Sequence, residues 1–255
     1  MILAIDMGNT NIVVGGIDEE QTYFVERIST DHSRTPLEYA VSLKNILEFH
    51  QISPSAIEGS IISSVVPPLR DTIKQAVEKV IGKPALLVGP GMKTGLNILM
   101  DNPATVGSDL VVDSVAAIHH YPAPLIVIDM GTATTMCVVD KNHNYIGGVI
   151  IPGLKVSLDS LSGRASQLPY ISLDAPKKAI GKNTIDCMRS GIIYSNAGAI
   201  DGIIDRFEEE LGEPATVVAT GGLFRFVAPH CRHKIVYDDA LLLKGLLVIY
   251  NKNKA

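Results

Sequence analysis

One short word occurs twice in this chain and constrains its architecture more than any other feature. Asp6-Met7-Gly8-Asn9-Thr10 follows the apolar run Ile2-Leu3-Ala4-Ile5 and leads into Ile12-Val13-Val14. Asp129-Met130-Gly131-Thr132-Ala133-Thr134-Thr135 follows Leu125-Ile126-Val127-Ile128 and leads into Met136-Cys137-Val138-Val139. Each copy reads as strand, Asp-x-Gly turn, strand. A repeated unit of this kind, with further strands and helices after each copy, predicts an α/β chain built from two similar lobes with a cleft between them.

The rest of the chain fits that plan. Thr22 to Ile28 reads as a third strand, and Thr35 to Glu48 carries apolar residues at helical spacing (Leu37, Ala40, Val41, Leu43, Ile46, Leu47). Ser60 to Val65 is a short buried strand stopped by Pro67-Pro68, and a helix fits Leu69 to Ile81. Gly89-Pro90-Gly91 opens an irregular stretch through Pro103, after which Gly107-Ser108-Asp109 starts an apolar helix ending near His119 or His120. Pro122 and Pro124 punctuate the chain before the second copy, which places the domain boundary between 1–121 and 122–255. The second half predicts strands at 125–129, 134–139 and 144–151, then helices near 153–163, 184–211 and 239–250, with a strand at Thr216–Ala219.

Bulk properties exclude several function classes. A formal net charge of −5 argues against general nucleic-acid or anionic-membrane binding. No run of eighteen apolar residues is present, and the N-terminal apolar stretch is broken by Asp6 and lacks a basic flank, so neither a membrane span nor a signal peptide is expected. Three scattered cysteines (Cys137, Cys187, Cys231) read as reduced thiols of a cytoplasmic protein.

The doubled word also carries chemistry. A phosphate needs backbone N–H groups at close range, and glycine allows that approach. Asn9, Thr10, Thr132 and Thr134 add side-chain donors. A carboxylate beside phosphates repels them unless a cation intervenes, so Asp6 and Asp129 are candidate cation anchors. Asp and Gly are also ordinary hairpin residues; it is the repetition in equivalent settings that favours phosphate. No Gly-Lys-Ser/Thr is present, so this is not a Walker loop. Asp109 at a helix N-terminus either complements the helix dipole or serves as a general base for a hydroxyl. Thr220-Gly221-Gly222 suits close approach to a flat ligand or a plain strand-to-helix turn, and Asn183 or Thr184 reads as an N-cap. His230-Cys231-Arg232-His233 shows no four-ligand metal pattern.

Taken together, these words resemble type III pantothenate kinases, members of the superfamily of sugar kinases, actin and the large heat-shock chaperones. The resemblance runs from Met1 to about Tyr250. It rests on Asp6 to Asn11, Gly95-Leu96-Asn97, Asp101-Asn102-Pro103, Val106 to Asp109, Asp129 to Thr135, Pro152-Gly153-Leu154, Gly181 to Thr184 and Ala219 to Gly222. It implies two actin-like (ribonuclease H-like) lobes and ATP-dependent phosphorylation of pantothenate, the first step of coenzyme A synthesis. It also implies a homodimer, magnesium with ATP, and a monovalent cation such as potassium or ammonium. By position, Asp6, Met7, Gly8, Asn9, Thr10, Asn11, Ile12 and Val13 would hold ATP phosphates, with Asp6 meeting magnesium through water. Thr132 would touch ATP, Asp129 the monovalent cation, and Asp109 would be the base. Gly107, Ser108, Asp109 and Leu110 would line the acceptor pocket, and Met100 and Thr184 would contact pantothenate.

The chain departs from the family pattern at three places. Met100 stands where the family usually has Tyr before Asp-Asn-Pro, and Leu110 where it usually has Arg after the catalytic Asp. Near Arg164 to Pro169 the usual Lys before Leu-Pro is missing. A lost charge-assisted hydrogen bond is worth roughly 1.5–3 kcal/mol, or on the order of 10- to 100-fold in affinity. The ATP half therefore reads as intact and the acceptor half as altered. That leaves two other readings: a kinase of this fold acting on another small hydroxylated acceptor, and a non-catalytic regulatory homologue.

Overall fold

The computed structural model describes residues 1–254. In chain order its principal elements are β1 (Ile2–Met7), β2 (Asn11–Ile17), β3 (Thr22–Ser29), α1 (Pro36–Phe49), β4 (Ser60–Ser64), α2 (Arg70–Ile81), β5 (Ala85–Leu87), β6 (Asn97–Ile98) and α3 (Ser108–His120). Then follow β7 (Leu125–Met130), β8 (Ala133–Val139), β9 (Asn144–Pro152), α4 (Leu154–Arg164), α5 (Thr184–Leu211), β10 (Thr216–Thr220), α6 (Phe224–Val227), β11 (Val236–Tyr237) and α7 (Leu241–Asn253). Local signals explain the helix ends. Thr35 and Glu38 form a capping box at the start of α1, with Pro36 in its first turn. Asn183 caps α5 by accepting from the Asp186 N–H at 2.9 Å. Among the described residues no helix is long and apolar enough to cross a membrane.

Two sheets share one topology. The first has the order β3-β2-β1-β4-β5, with β1/β2 and β2/β3 antiparallel and β1/β4 and β4/β5 parallel. The second has the order β11-β10-β7-β8-β9-β6. There β7/β8 and β8/β9 are antiparallel while β7/β10 and β10/β11 are parallel. The strands from β7 to β11, with β6 set aside, thus repeat the pattern of β1 to β5. β6 adds one parallel strand beyond β9. The duplication read from the two Asp-Met-Gly words is a duplication of whole sheets.

The chain divides into two compact units. The first comprises Met1–Leu96, Asp101–His119 and the segment from Ala240; the second comprises Asn97–Met100 and His120–Asp239. This differs from a split into 1–121 and 122–255 in one large respect: α7 belongs with the N-terminal sheet. Its Leu243, Leu246 and Ile249 pack with Ile2, Ala4, Ile17 and Ile61 and with Val112 and Val115 of α3. The opposite face of the same sheet, Leu3, Ile5 and Met7, packs on Leu43 and Leu47 of α1 and Ile73 and Val77 of α2. β1 is therefore covered on both faces, which is why it reads as a continuous apolar run. In the second unit Ile126, Ile128 and Met130 pack against α4, α5 and α6 through Leu158, Ile193, Ala197, Ile200 and Phe224.

Candidate active site

In the first unit, the strand pair β1 and β2 closes through a hairpin of four residues, Gly8 to Asn11. The Gly8 N–H donates to the Asn11 carbonyl at 3.0 Å, leaving Asn9 and Thr10 as the exposed tip. The end of β3 pins this tip: the Thr30 hydroxyl donates to the Gly8 carbonyl at 2.6 Å and the Thr30 N–H to the Thr10 carbonyl at 3.0 Å. A fixed, exposed turn with small polar residues is suited to an oxyanion. Met7 and Ile12 behind the tip are buried core, and Val13 is half-buried.

Asp6, one position before Met7, is nearly buried at 9% exposure. By strand alternation it shares a face with Ile2 and Ala4, the face that α3 covers. Across the parallel ladder Asp6 is opposite Ser63 of β4. Ser63 is fully buried, and its hydroxyl lies 3.0 Å from that of Ser108, the first residue of α3. Asp109 follows. Its Oδ1 accepts from the Leu110 N–H at 2.9 Å, and its carboxyl curls so tightly over Gly107 that a Cβ there would overlap Oδ1. Glycine at 107 is thus the space that the carboxyl occupies. Burial pushes Asp109 above the ordinary carboxylate range, and the Leu110 N–H pulls it partly back. A carboxylate shifted this way is a stronger proton acceptor. Asp113, one helical turn further along the same face, is buried as well.

In the second unit, Asp129, the last residue but one of β7, lies opposite Thr220 of β10 and Thr135 of β8. The hairpin that follows is one residue shorter than the first, running from Gly131 to Ala133, with the Gly131 N–H donating to the Ala133 carbonyl at 3.0 Å. Thr132 is its exposed tip, held by the Gly153 N–H donating to its carbonyl at 3.2 Å. Gly221, with φ +92°, presses on the same place: a Cβ there would lie 2.7 Å from Asp129 Oδ1 and 2.6 Å from the Met130 carbonyl oxygen. The Thr134 and Thr135 hydroxyls are buried without a hydrogen-bond partner, and Thr135, directly opposite Asp129, shares its face. The Asp129 carboxylate and the Thr135 hydroxyl are both hard oxygen donors of the kind an alkali cation takes.

The acceptor-side candidates are distributed between the units. Gly107 to Leu110 lie in the first, all half-buried. Met100 and Thr184 lie in the second. Met100 rests by β9, its sulfur 3.7 Å from where a Cβ on Gly147 would be. Thr184 is exposed in the first turn of α5. Among the described residues no group of three or more His, Cys, Asp or Glu forms a metal cage. A divalent ion met by a single carboxylate would take its other oxygens from water and phosphate, as magnesium commonly does. His233 is engaged by Asp205 at 2.8 Å and His230 stacks edge-on with Tyr194. Both line a cavity of about 490 Å³ that contains none of the candidate phosphate, cation or acceptor residues. All three cysteines are free thiols.

Residue-pattern reasoning missed Ser63 and Asp113. A lone serine in an apolar strand and an acid within an apolar helix carry no motif, and only register and burial bring them to the site.

A family model described as type III pantothenate kinase matches residues 2–206. The chain belongs to this family. It is 46% identical over 255 residues to the type III pantothenate kinase of Brevibacillus brevis, with all of both chains covered. It is 44% identical over 254 residues to that of an Exiguobacterium species, again with full coverage of both. Among solved structures, the ROK hexokinase of Thermus thermophilus matches with a TM-score of 0.53 at 14% identity, covering 99% of each chain. That likeness establishes the sugar-kinase type of fold. As a type III pantothenate kinase by family, the chain is a phosphotransferase that uses an alcohol as acceptor.

Proposed function

We propose that the chain phosphorylates pantothenate with ATP to give 4'-phosphopantothenate, the step that opens coenzyme A synthesis. The observation that carries this reading is full-length identity of 44–46% to proteins named for that activity. The geometry of Asp6, Ser63, Ser108 and Asp109 at one end of the first sheet supports it. Asp109 takes the proton of the primary hydroxyl as the γ-phosphoryl arrives in line through a loose transition state, so positioning and charge neutralisation dominate. The Gly8 to Asn11 hairpin presents its tip to the phosphates, and Thr132 contacts the nucleotide. Asp6 would hold magnesium through water, and the ion would supply charge neutralisation at the phosphates. Asp129 and Thr135 would offer oxygens to potassium or ammonium. The enzyme works as a homodimer in the cytoplasm.

Met100 and Leu110 favour a second reading, a kinase of another small hydroxylated acceptor, because both put apolar surface where the family pattern is polar or charged. ATP consumption over a panel of pantothenate, its analogues, hydroxy acids and polyols, with and without potassium, separates the two. The expected result is the highest kcat/KM with pantothenate and a large loss without a monovalent cation. A higher kcat/KM for any other acceptor would displace pantothenate as the substrate.

A further inference from the structure

We infer that Ser63 and Ser108 form a hydroxyl latch that sets how Asp109 is presented, making Ser63 a positioning residue for the transfer. Ser63 is fully buried, directly after the buried Ile61 and Ile62 of β4. By strand preference a β-branched apolar residue belongs at such a position, and a buried hydroxyl without a partner costs about 1–3 kcal/mol. The partner is Ser108, whose Oγ is 3.0 Å away across 45 residues of chain.

The place of that contact gives it its role. The first turn of a helix has N–H groups without intrahelical acceptors and frays most readily, and Asp109 sits in that turn. A tertiary bond at residue 108 fixes the turn where α3's own ladder does not. On its other side Ser63 is opposite Asp6, two positions before Gly8 of the phosphate hairpin. The latch therefore ties the proton-accepting end of α3 to the strand pair that ends at the phosphates. It keeps base and phosphoryl group in one register without touching either. Ser64, the next residue, does a different job: its hydroxyl accepts from the Val66 N–H at 3.1 Å and shapes the exit of β4.

The inference rests on Asp109 being the base, and the experiment separates the two. Ser63→Ala, Ser108→Ala, the double variant, Ser63→Thr and Asp109→Asn are compared by steady-state kinetics across pH. Losing one neutral hydrogen bond, about 0.5–1.5 kcal/mol, corresponds to roughly a 2- to 12-fold fall in kcat. Each single alanine variant is expected to show it, with both KM values within about twofold in Ser63→Ala and the KM for ATP within about twofold in Ser108→Ala. The double variant is expected to fall no further than the singles, since they remove one interaction. Ser63→Thr, which keeps a hydroxyl, restores kcat, and the acid limb of the pH profile moves in the alanine variants. Ser108→Ala alters the half-buried partner and keeps the test available if Ser63→Ala folds poorly. Wild-type kcat in both single variants alongside an inactive Asp109→Asn overturns the latch and leaves the base in place. Multiplicative loss in the double variant, or no rescue by threonine, overturns it equally. An active Asp109→Asn removes the base reading itself.

Discussion

Replacing Gly221 by alanine tests whether the second hairpin is as tightly built as its geometry states. The new Cβ would stand 2.6 Å from the Met130 carbonyl oxygen, 2.7 Å from the Met130 nitrogen and 2.7 Å from Asp129 Oδ1. Two of those atoms are backbone of β7 and cannot rotate away, so the end of β10 has to move off its neighbour. The backbone at 221 also has φ +92°, which costs an L-residue about 1–2 kcal/mol. Overpacking of this sort adds about 1–3 kcal/mol, giving a total of roughly 2–5 kcal/mol. At about 2–4 °C per kcal/mol for a chain of this size, Tm drops on the order of 5–15 °C. Calorimetry without nucleotide measures it. Gly198→Ala provides the internal control: it lies on the exposed side of α5 with nothing within 4 Å of an added Cβ. There the same chemical change is worth about 0.5–1 kcal/mol of extra stability. If the two variants unfold at the same temperature, the close approach of Gly221 to Asp129 is refuted. If Gly221→Ala is less stable but keeps its KM for ATP and its response to potassium, the approach is structural only.

The remaining expectations follow from Asp109 and from the altered acceptor residues. Asp109→Asn should cut turnover by about 10²- to 10⁴-fold, read by coupled ATP consumption, and near-wild-type turnover would remove Asp109 from the mechanism. The same variant should be more stable than the parent at high pH. Burial raises Asp109 above its unfolded value, so the native state holds this proton when the unfolded chain has released it. Its contribution to stability is greatest below the unfolded value of about 3.9 and declines as pH rises through the raised native value. The Tm advantage of Asp109→Asn should therefore grow between pH 4 and pH 8, and an advantage that shrank would contradict the assigned burial. Leu110→Arg combined with Met100→Tyr should tighten pantothenate binding by roughly 10- to 100-fold. An unchanged Kd by calorimetric titration would mean that the pocket is organised around other residues.

Most long elements were legible because their signals are local. The capping box at Thr35 and Glu38, the apolar spacing of α1 and the turn words at Gly8 and Gly131 all act within a few residues. β5, β6 and β11 were not legible. They have three, two and two residues, too short for any period, and they exist because a neighbouring strand offers them an edge. The allegiance of α7 was equally hidden. Its apolar stripe shows that one face is buried, and nothing in a stripe says against which sheet. At the candidate site the split is similar: Asp6, Asp109 and Asp129 announce themselves through the glycines beside them. Ser63 becomes visible only when the parallel ladder sets it opposite Asp6.

The return of α7 to the N-terminal sheet has a consequence for how the chain is made. Residues 120–239 form nearly all of one unit without interruption, whereas the other needs segments from both before and after that stretch. On a ribosome, the face of β1 carrying Ile2 and Ala4 can meet Val112 and Val115 of α3 first, and meets Leu243, Leu246 and Ile249 of α7 only after residues 120–239 have emerged. The middle of the gene product can thus close its core before the beginning can. Until then that face of the nascent sheet has at most α3 upon it and stays partly open to chaperones or to a neighbouring chain. A chain without α7 would carry every phosphate-binding residue named above and still lack Leu243, Leu246 and Ile249, part of what buries the strand that presents the first of them.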